Sequence, residues 1–199
     1  MIETQQVQLI TRAELGKSAC CNLWESFAAN GAVDVAATDA ATASREIRLL
    51  GLAGRYSQLL TEKKPMTRGL GSIYGLNYIS GDWIESIQIA KGTGSVVDGY
   101  ESMTGQINVE LRKPSCEAPK LHVNLYQNNF GRTEANVIIA RQFTERVGTM
   151  LMTHGNLNLG HQDPDGDHFL NNPNGKAAIL AYRWFIQATD QLKLKSGIQ

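Results

Sequence analysis

Cysteine is scarce in this sequence, net charge is absent, and no long apolar run occurs; each lack removes a class of protein. The chain has 3 cysteines among 199 residues. Cys20 and Cys21 are adjacent and Cys116 lies far away, so they neither build a symmetrical disulfide framework nor show the CxxC spacing of a zinc site. They read as small apolar residues, the usual state of free cysteine. A balance of 19 basic against 19 acidic residues offers no electrostatic footprint for nucleic acid. No stretch of about 20 apolar residues exists, which excludes a membrane-spanning helix. No basic, apolar, cleavable signal precedes residue 10, so an exported protein would carry its signal outside this span. What is present, 42% hydrophobic residues in 199, fits an ordinary folded protein of one domain or two small ones.

Two textures divide the chain. Up to about residue 115, helical and strand signals mix. Val7, Leu9 and Ile10 form a short apolar strand, and Thr11-x-x-Glu14 has the form of a capping box that starts a helix through Lys17. Asn22-x-x-Glu25 repeats that signal ahead of Leu23, Trp24 and Phe27, giving a second short helix. "EIRLLGL" (46–52) and "YSQLL" (56–60) read as strands. The span Met66 to Asp82, rich in Gly, Tyr and Ser, reads as a long loop, a kind that is usually functional or disordered.

Beyond Pro119 the helical period disappears. "KLHVNLYQ" sets Leu121, Val123 and Leu125 on one face and His122, Asn124 and Tyr126 on the other, and "TEANVIIARQ", "VGTMLMTHGN" and "AAILAYRWFIQ" continue the alternation. These runs have the length of tilted membrane-crossing strands, about 9–11 residues. "NNFGR" and "FTER" are short connections and Leu159 to Gly175 is a long, acidic one; Tyr182 and Trp184 stand at the middle or end of a strand. An outer-membrane barrel reads this way, and so does a soluble antiparallel sandwich.

Between the apolar strands Ile84/Ile87/Ile89 and Ile107/Val109/Leu111 lie Gly92, Gly94, Gly99 and Gly105. Glycine clusters of this kind mark positive φ or close backbone approach. One alternative is a soluble dinucleotide-binding enzyme, in which Gly92-x-Gly94 turns a strand into a helix and Glu110 holds a ribose. Against it, the third glycine position holds Val97, Gly99 interrupts the short helix, and no further βαβ unit follows. A P-loop is excluded, because no Gly-Lys-Ser/Thr follows the glycines. A second alternative, an extracellular β-rich binding module, rests on the second half of the chain alone.

"WIESIQIAKGTGSVVDGYESMTGQINVEL" resembles the end of the plug domain of TonB-dependent outer-membrane receptors. Ile84-Glu85-Ser86-Ile87, Lys91-Gly92, Ser95, Gly99, Gly105 and Ile107-Asn108-Val109 fit the family pattern in register, and "TRAELGKSACCNLWESFAANGAVDV" is similar to its opening strand and helices. The chain departs from the pattern at Thr93, Asp98, Gln106 and Leu50, and Glu62-Lys63 stands where the family has an Asp-Gly turn.

The resemblance implies an α+β plug domain, a small mixed sheet with short helices, over 1–115. The first antiparallel β strands of an incomplete outer-membrane β-barrel would follow over 116–199. A plug-blocked barrel has about 22 strands, and five cannot enclose a plug. The span is therefore expected to be part of a longer receptor, whose signal peptide and TonB-contacting segment are not evident before Val7. It implies no catalysis: the protein would serve uptake of a scarce siderophore, cobalamin or metal complex, with a TonB energy-transducing protein and outer-membrane lipid as partners.

Lys91, Gly92, Gly94, Gly99, Gly105 and Asn108 would form the tight plug–barrel corner. Arg68, Tyr74, Asn77, Tyr78 and Trp83, planar and polar groups in or beside the long loop, would contact a large polar ligand. No cofactor is expected apart from structural calcium: Asp163, Asp165 and Asp167 alternate in "HQDPDGDHF" and could converge on a hard cation, in a loop placed like the calcium-ordered loop of cobalamin receptors. Met103, Met150, Met152, His154, His161 and His168 are scattered and lack the spacing of a copper site.

Overall fold

The computed structural model describes residues 7–17, 23–27, 31, 33–39, 44–66, 75–76, 78–93, 102–114, 119–160, 174–189 and 192–198. The chain divides into two compact units, Met1–Leu111 and Arg112–Gln199.

The first unit is built on a mixed sheet. β1 (Val7–Thr11) runs into α1 (Arg12–Lys17). The capping signal at this junction operates in part: the Glu14 carboxylate accepts from the Thr11 amide at 2.7 Å and from its hydroxyl at 3.0 Å, occupying a donor that the helix start would otherwise leave free. The second capping signal yields only a single 3-10 turn, Glu25–Phe27, with Ser26 and Phe27 buried. β2 (Val33–Asp39) and β3 (Ser44–Leu49) pair into a separate two-stranded ribbon. β4 (Ser57–Thr61), β5 (Lys64–Pro65), β6 (Ile84–Lys91) and β7 (Gly105–Leu111) join β1 in the order β1-β6-β7-β4-β5. Only β4 and β7 run parallel; the other pairs are antiparallel.

The sheet's apolar face carries Ile87, Ile89, Ile107 and Val109, each at most 1% exposed. Each such burial contributes about 1.5–3 kcal/mol. Leu23, Phe27, Ile79 and Trp83 also belong to the core, with the Leu23 amide bonded to the Ile79 carbonyl at 3.1 Å.

Two local expectations are corrected. "EIRLLGL" is not one strand. Leu50 and Gly51 take φ of 56° and 78°, and Leu49 and Leu52 exchange backbone hydrogen bonds of 3.3 and 3.1 Å across them. This is the positive-φ pair of a tight hairpin turn, hidden in the sequence by three leucines. The span Met66 to Asp82 is not wholly irregular either, since a 3-10 turn begins at Gly81 and ends at Trp83, its Ser80 hydroxyl accepting from the Asp82 amide at 3.4 Å.

The second unit is an antiparallel meander. β8 (Leu121–Gln127), β9 (Arg132–Thr144), β10 (Val147–Asn158), β11 (Gly175–Gln187) and β12 (Lys193–Ile198) lie in chain order, with β8 and β12 at the edges and no closure among the described strands. Pleating separates two faces. One carries Glu134, Asn136, Ile138, Ala140, Met150, Met152 and His154, all buried. The other exposes Leu121, Val123, Ile139, Phe143, Leu180, Tyr182, Trp184 and Ile198. No described helix is long and apolar enough to cross a membrane, a statement that does not bear on strands.

Candidate functional site

The glycine-rich connection joins β6 to β7, which are antiparallel neighbours. A dinucleotide site needs that turn between parallel strands linked by a helix, so the pairing overturns the soluble-enzyme alternative. Glu110, its supposed ribose ligand, instead accepts from the Asn108 side-chain amide at 3.2 Å.

The corner itself is tightly specified. Gly92 has φ 96° and its amide donates to the Thr104 carbonyl at 2.9 Å. Lys91 pairs with Gly105, where a Cβ would fall 2.3 Å from Leu49 Cδ2 and 2.4 Å from the Ala90 carbonyl oxygen. Glycine at 92 thus serves backbone conformation, and glycine at 105 serves close approach. The Tyr56 carbonyl accepts from the Met103 and Thr104 amides, each at 3.0 Å, and from the Thr104 hydroxyl at 3.0 Å.

Asn108 lies at the centre of a polar row. It is 6% exposed; its Oδ1 accepts from the Lys63 amide at 2.8 Å, and its Nδ2 also reaches Gln88 Oε1 at 3.4 Å. Next to it, Gln106 Nε2 donates to Gln58 Oε1 at 2.8 Å, with both residues buried. The sheet therefore sets a glutamine and asparagine face behind its isoleucine face, and it ties the Glu62-Lys63 turn to β7.

Of the residues expected to meet a ligand, Tyr78 is 46% exposed. Trp83 is fully buried, its indole Nε1 without a partner among the described residues; it packs the core and does not present its ring at a surface. Arg68, Tyr74 and Asn77 lie outside the described residues, as do Gly94 and Gly99 of the corner and the three carboxylates Asp163, Asp165 and Asp167. Among the described residues no three His, Cys, Asp or Glu side chains gather as a metal site.

Two clusters in the second unit escaped the sequence reading. On the buried face, Glu134 is ion-paired with Arg132 and accepts from Asn156 Nδ2 at 2.8 Å, while His154 Nδ1 lies 2.8 Å from Asn136 Oδ1. On the exposed face, Phe143 stacks on Trp184 with centroids 6.1 Å apart, and Tyr182 meets Trp184 edge-on at 5.9 Å. Alternation along "TEANVIIARQ" separates Glu134 and Asn136 from Val137 and Ile139, but only the cross-strand register brings Phe143 to Trp184.

The family profile described as TonB-dependent Receptor Plug Domain matches residues 2–106. The fold is similar to that of the pyoverdine outer membrane receptor FpvA from Pseudomonas aeruginosa, with a TM-score of 0.74 and 16% identity over 97% of this chain and 27% of that one. It is also similar to the ferric yersiniabactin uptake receptor FyuA from Yersinia pestis, with a TM-score of 0.74 and 12% identity over 98% of this chain and 31% of that one. The siderophore receptor PiuA from Acinetobacter baumannii gives a TM-score of 0.71 and 12% identity over 96% of this chain and 25% of that one. No curated protein matches the chain by sequence. The chain thus spans between a quarter and a third of these receptors' lengths. With a plug-type mixed sheet, an antiparallel meander after it, and a profile match across more than half its length, the chain belongs to the TonB-dependent receptor plug domain family.

Proposed function

We propose that this chain is the plug and opening barrel strands of an outer-membrane receptor that takes up a scarce, bulky ligand with energy delivered through TonB. The observation that carries the reading is the succession of a plug sheet and a meander with one buried, partly polar face and one exposed, apolar face. That pattern suits strands with lipid on one side and protein on the other. A ferric siderophore is the favoured cargo, because the similar folds include receptors for pyoverdine and yersiniabactin; cobalamin and other metal complexes remain within the class.

The test uses the complete gene product. It should fractionate with the outer membrane, and a deletion strain should lose growth on a ferric siderophore as sole iron source while keeping growth on free ferrous iron. Recovery in the soluble cytoplasm would overturn the reading, and a growth loss confined to cobalamin would move the cargo. The loop around Tyr78 is proposed to touch cargo: an Arg68/Tyr74/Tyr78 triple alanine variant should bind ligand more weakly at unchanged export. Calcium at Asp163, Asp165 and Asp167 is proposed to order the long loop, so chelation should lower ligand affinity reversibly in the parent and have no effect in the triple alanine variant.

A further inference from the structure

The exposed face of the meander holds two charged side chains among the described strand residues, Arg141 and Lys176. Cross-strand register places Arg141 opposite Thr149 and Thr149 opposite Trp184, and Thr149 between them is buried. The Arg141 guanidinium carbon is 5.0 Å from the Phe143 ring centroid, and no described carboxylate pairs with it. Lys176 lies eight residues before Trp184 on β11. That separation is about 27 Å along a strand at ~3.4 Å per residue, or about 21 Å across a bilayer at the usual strand tilt of ~40°, close to the ~25 Å apolar band of such barrels. The rows between them, Leu125/Ala135/Ala178, Val123/Val137/Leu180 and Leu121/Ile139/Leu151/Tyr182, carry no charge.

We propose that Arg141, beside the stacked Phe143 and Trp184 rings, forms a binding site for the phosphate of a membrane phospholipid at the edge of the apolar band nearest the Glu145–Arg146 turn. The inference rests on the membrane placement proposed above. An unpaired guanidinium on a lipid-facing strand is tolerated only near the interface, where it can reach a headgroup. Phe143 and Trp184 provide the amphipathic ring surface that belongs at that depth. Arginine suits the task because its planar donors hold a phosphate through two hydrogen bonds at once.

The experiment titrates the complete, detergent-purified receptor with phosphatidylglycerol and reads bound lipid by native mass spectrometry. The parent should hold the lipid about fivefold more tightly than Arg141→Gln, the factor expected for one basic residue at an anionic headgroup surface. Arg141→Lys should retain part of that difference, and excess inorganic phosphate should not displace the lipid. Equal lipid retention by the parent and a folded, membrane-inserted Arg141→Gln variant would overturn the site while leaving the receptor reading intact. Displacement by inorganic phosphate would overturn it in favour of a free-anion site. A receptor that never enters the membrane fraction overturns both readings.

Discussion

Glu62 and Lys63 occupy left-handed backbone, with φ of 51° and 63°, in the two central positions of the β4–β5 hairpin. Such a turn favours Asn-Gly or Asp-Gly, and a side chain in it costs on the order of 1 kcal/mol. What holds the turn is Asn108, whose Oδ1 accepts the Lys63 amide, together with the Glu62 amide bonded to the Val109 carbonyl at 2.9 Å. Lys63→Gly should therefore stabilise the hairpin by up to about 1 kcal/mol, seen as slower amide exchange in β4 and β5 of the complete receptor. Asn108→Ala should do the opposite. It removes the acceptor from a backbone donor, at a cost of about 1–3 kcal/mol, and should speed exchange at Lys63 by tenfold or more while Glu62 exchanges as before. Unchanged exchange at the Lys63 amide would mean that the turn is not held by this side chain.

At the scale of elements, the β6–β7 hairpin and the parallel β4–β7 contact meet at Gly105, and the two described glycines of the corner, Gly92 and Gly105, should respond differently to the same change. At Gly105 a Cβ collides with the backbone carbonyl of Ala90 as well as with Leu49; a backbone atom cannot rotate away, so Gly105→Ala should cost about 1–3 kcal/mol by overpacking. At Gly92 nothing lies within 4 Å of the added carbon, and alanine there meets only the penalty of positive φ, about 1 kcal/mol. Limited proteolysis of the plug in the complete receptor should accordingly quicken more for Gly105→Ala than for Gly92→Ala. The reverse order would place the constraint in the turn rather than in the close approach.

For the whole molecule, the exposed face of the meander separates a membrane strand from a soluble one. Leu180 is 56% exposed at the middle of that face. Leu180→Arg would change the stability of a water-facing sheet by no more than about 0.5 kcal/mol, but a lipid-facing one by about 2–4 kcal/mol. Heat-modifiable gel mobility of the receptor in the outer membrane should therefore show a marked loss of folded protein for Leu180→Arg and little change for Leu180→Val. The sequence by itself determined much of this organisation. Alternation in "KLHVNLYQ" and its successors depends only on the two-residue period of a strand, and the capping pair Thr11 and Glu14 acts within one helical turn, so local chemistry sufficed for both. The Ile107-Asn108-Val109 motif and its glycines likewise carried the family. Only the tertiary structure decided that Leu50-Gly51 turns the chain, because a leucine run masks positive φ. It also decided that Trp83 lies in the core, because burial depends on which residues the fold gathers there, among them Leu23 and Ile107, far off in the chain. The antiparallel pairing of β6 with β7 and the meeting of Phe143 with Trp184 belong to the same class: both depend on hydrogen-bond register between distant strands, and no local pattern of residues encodes that register.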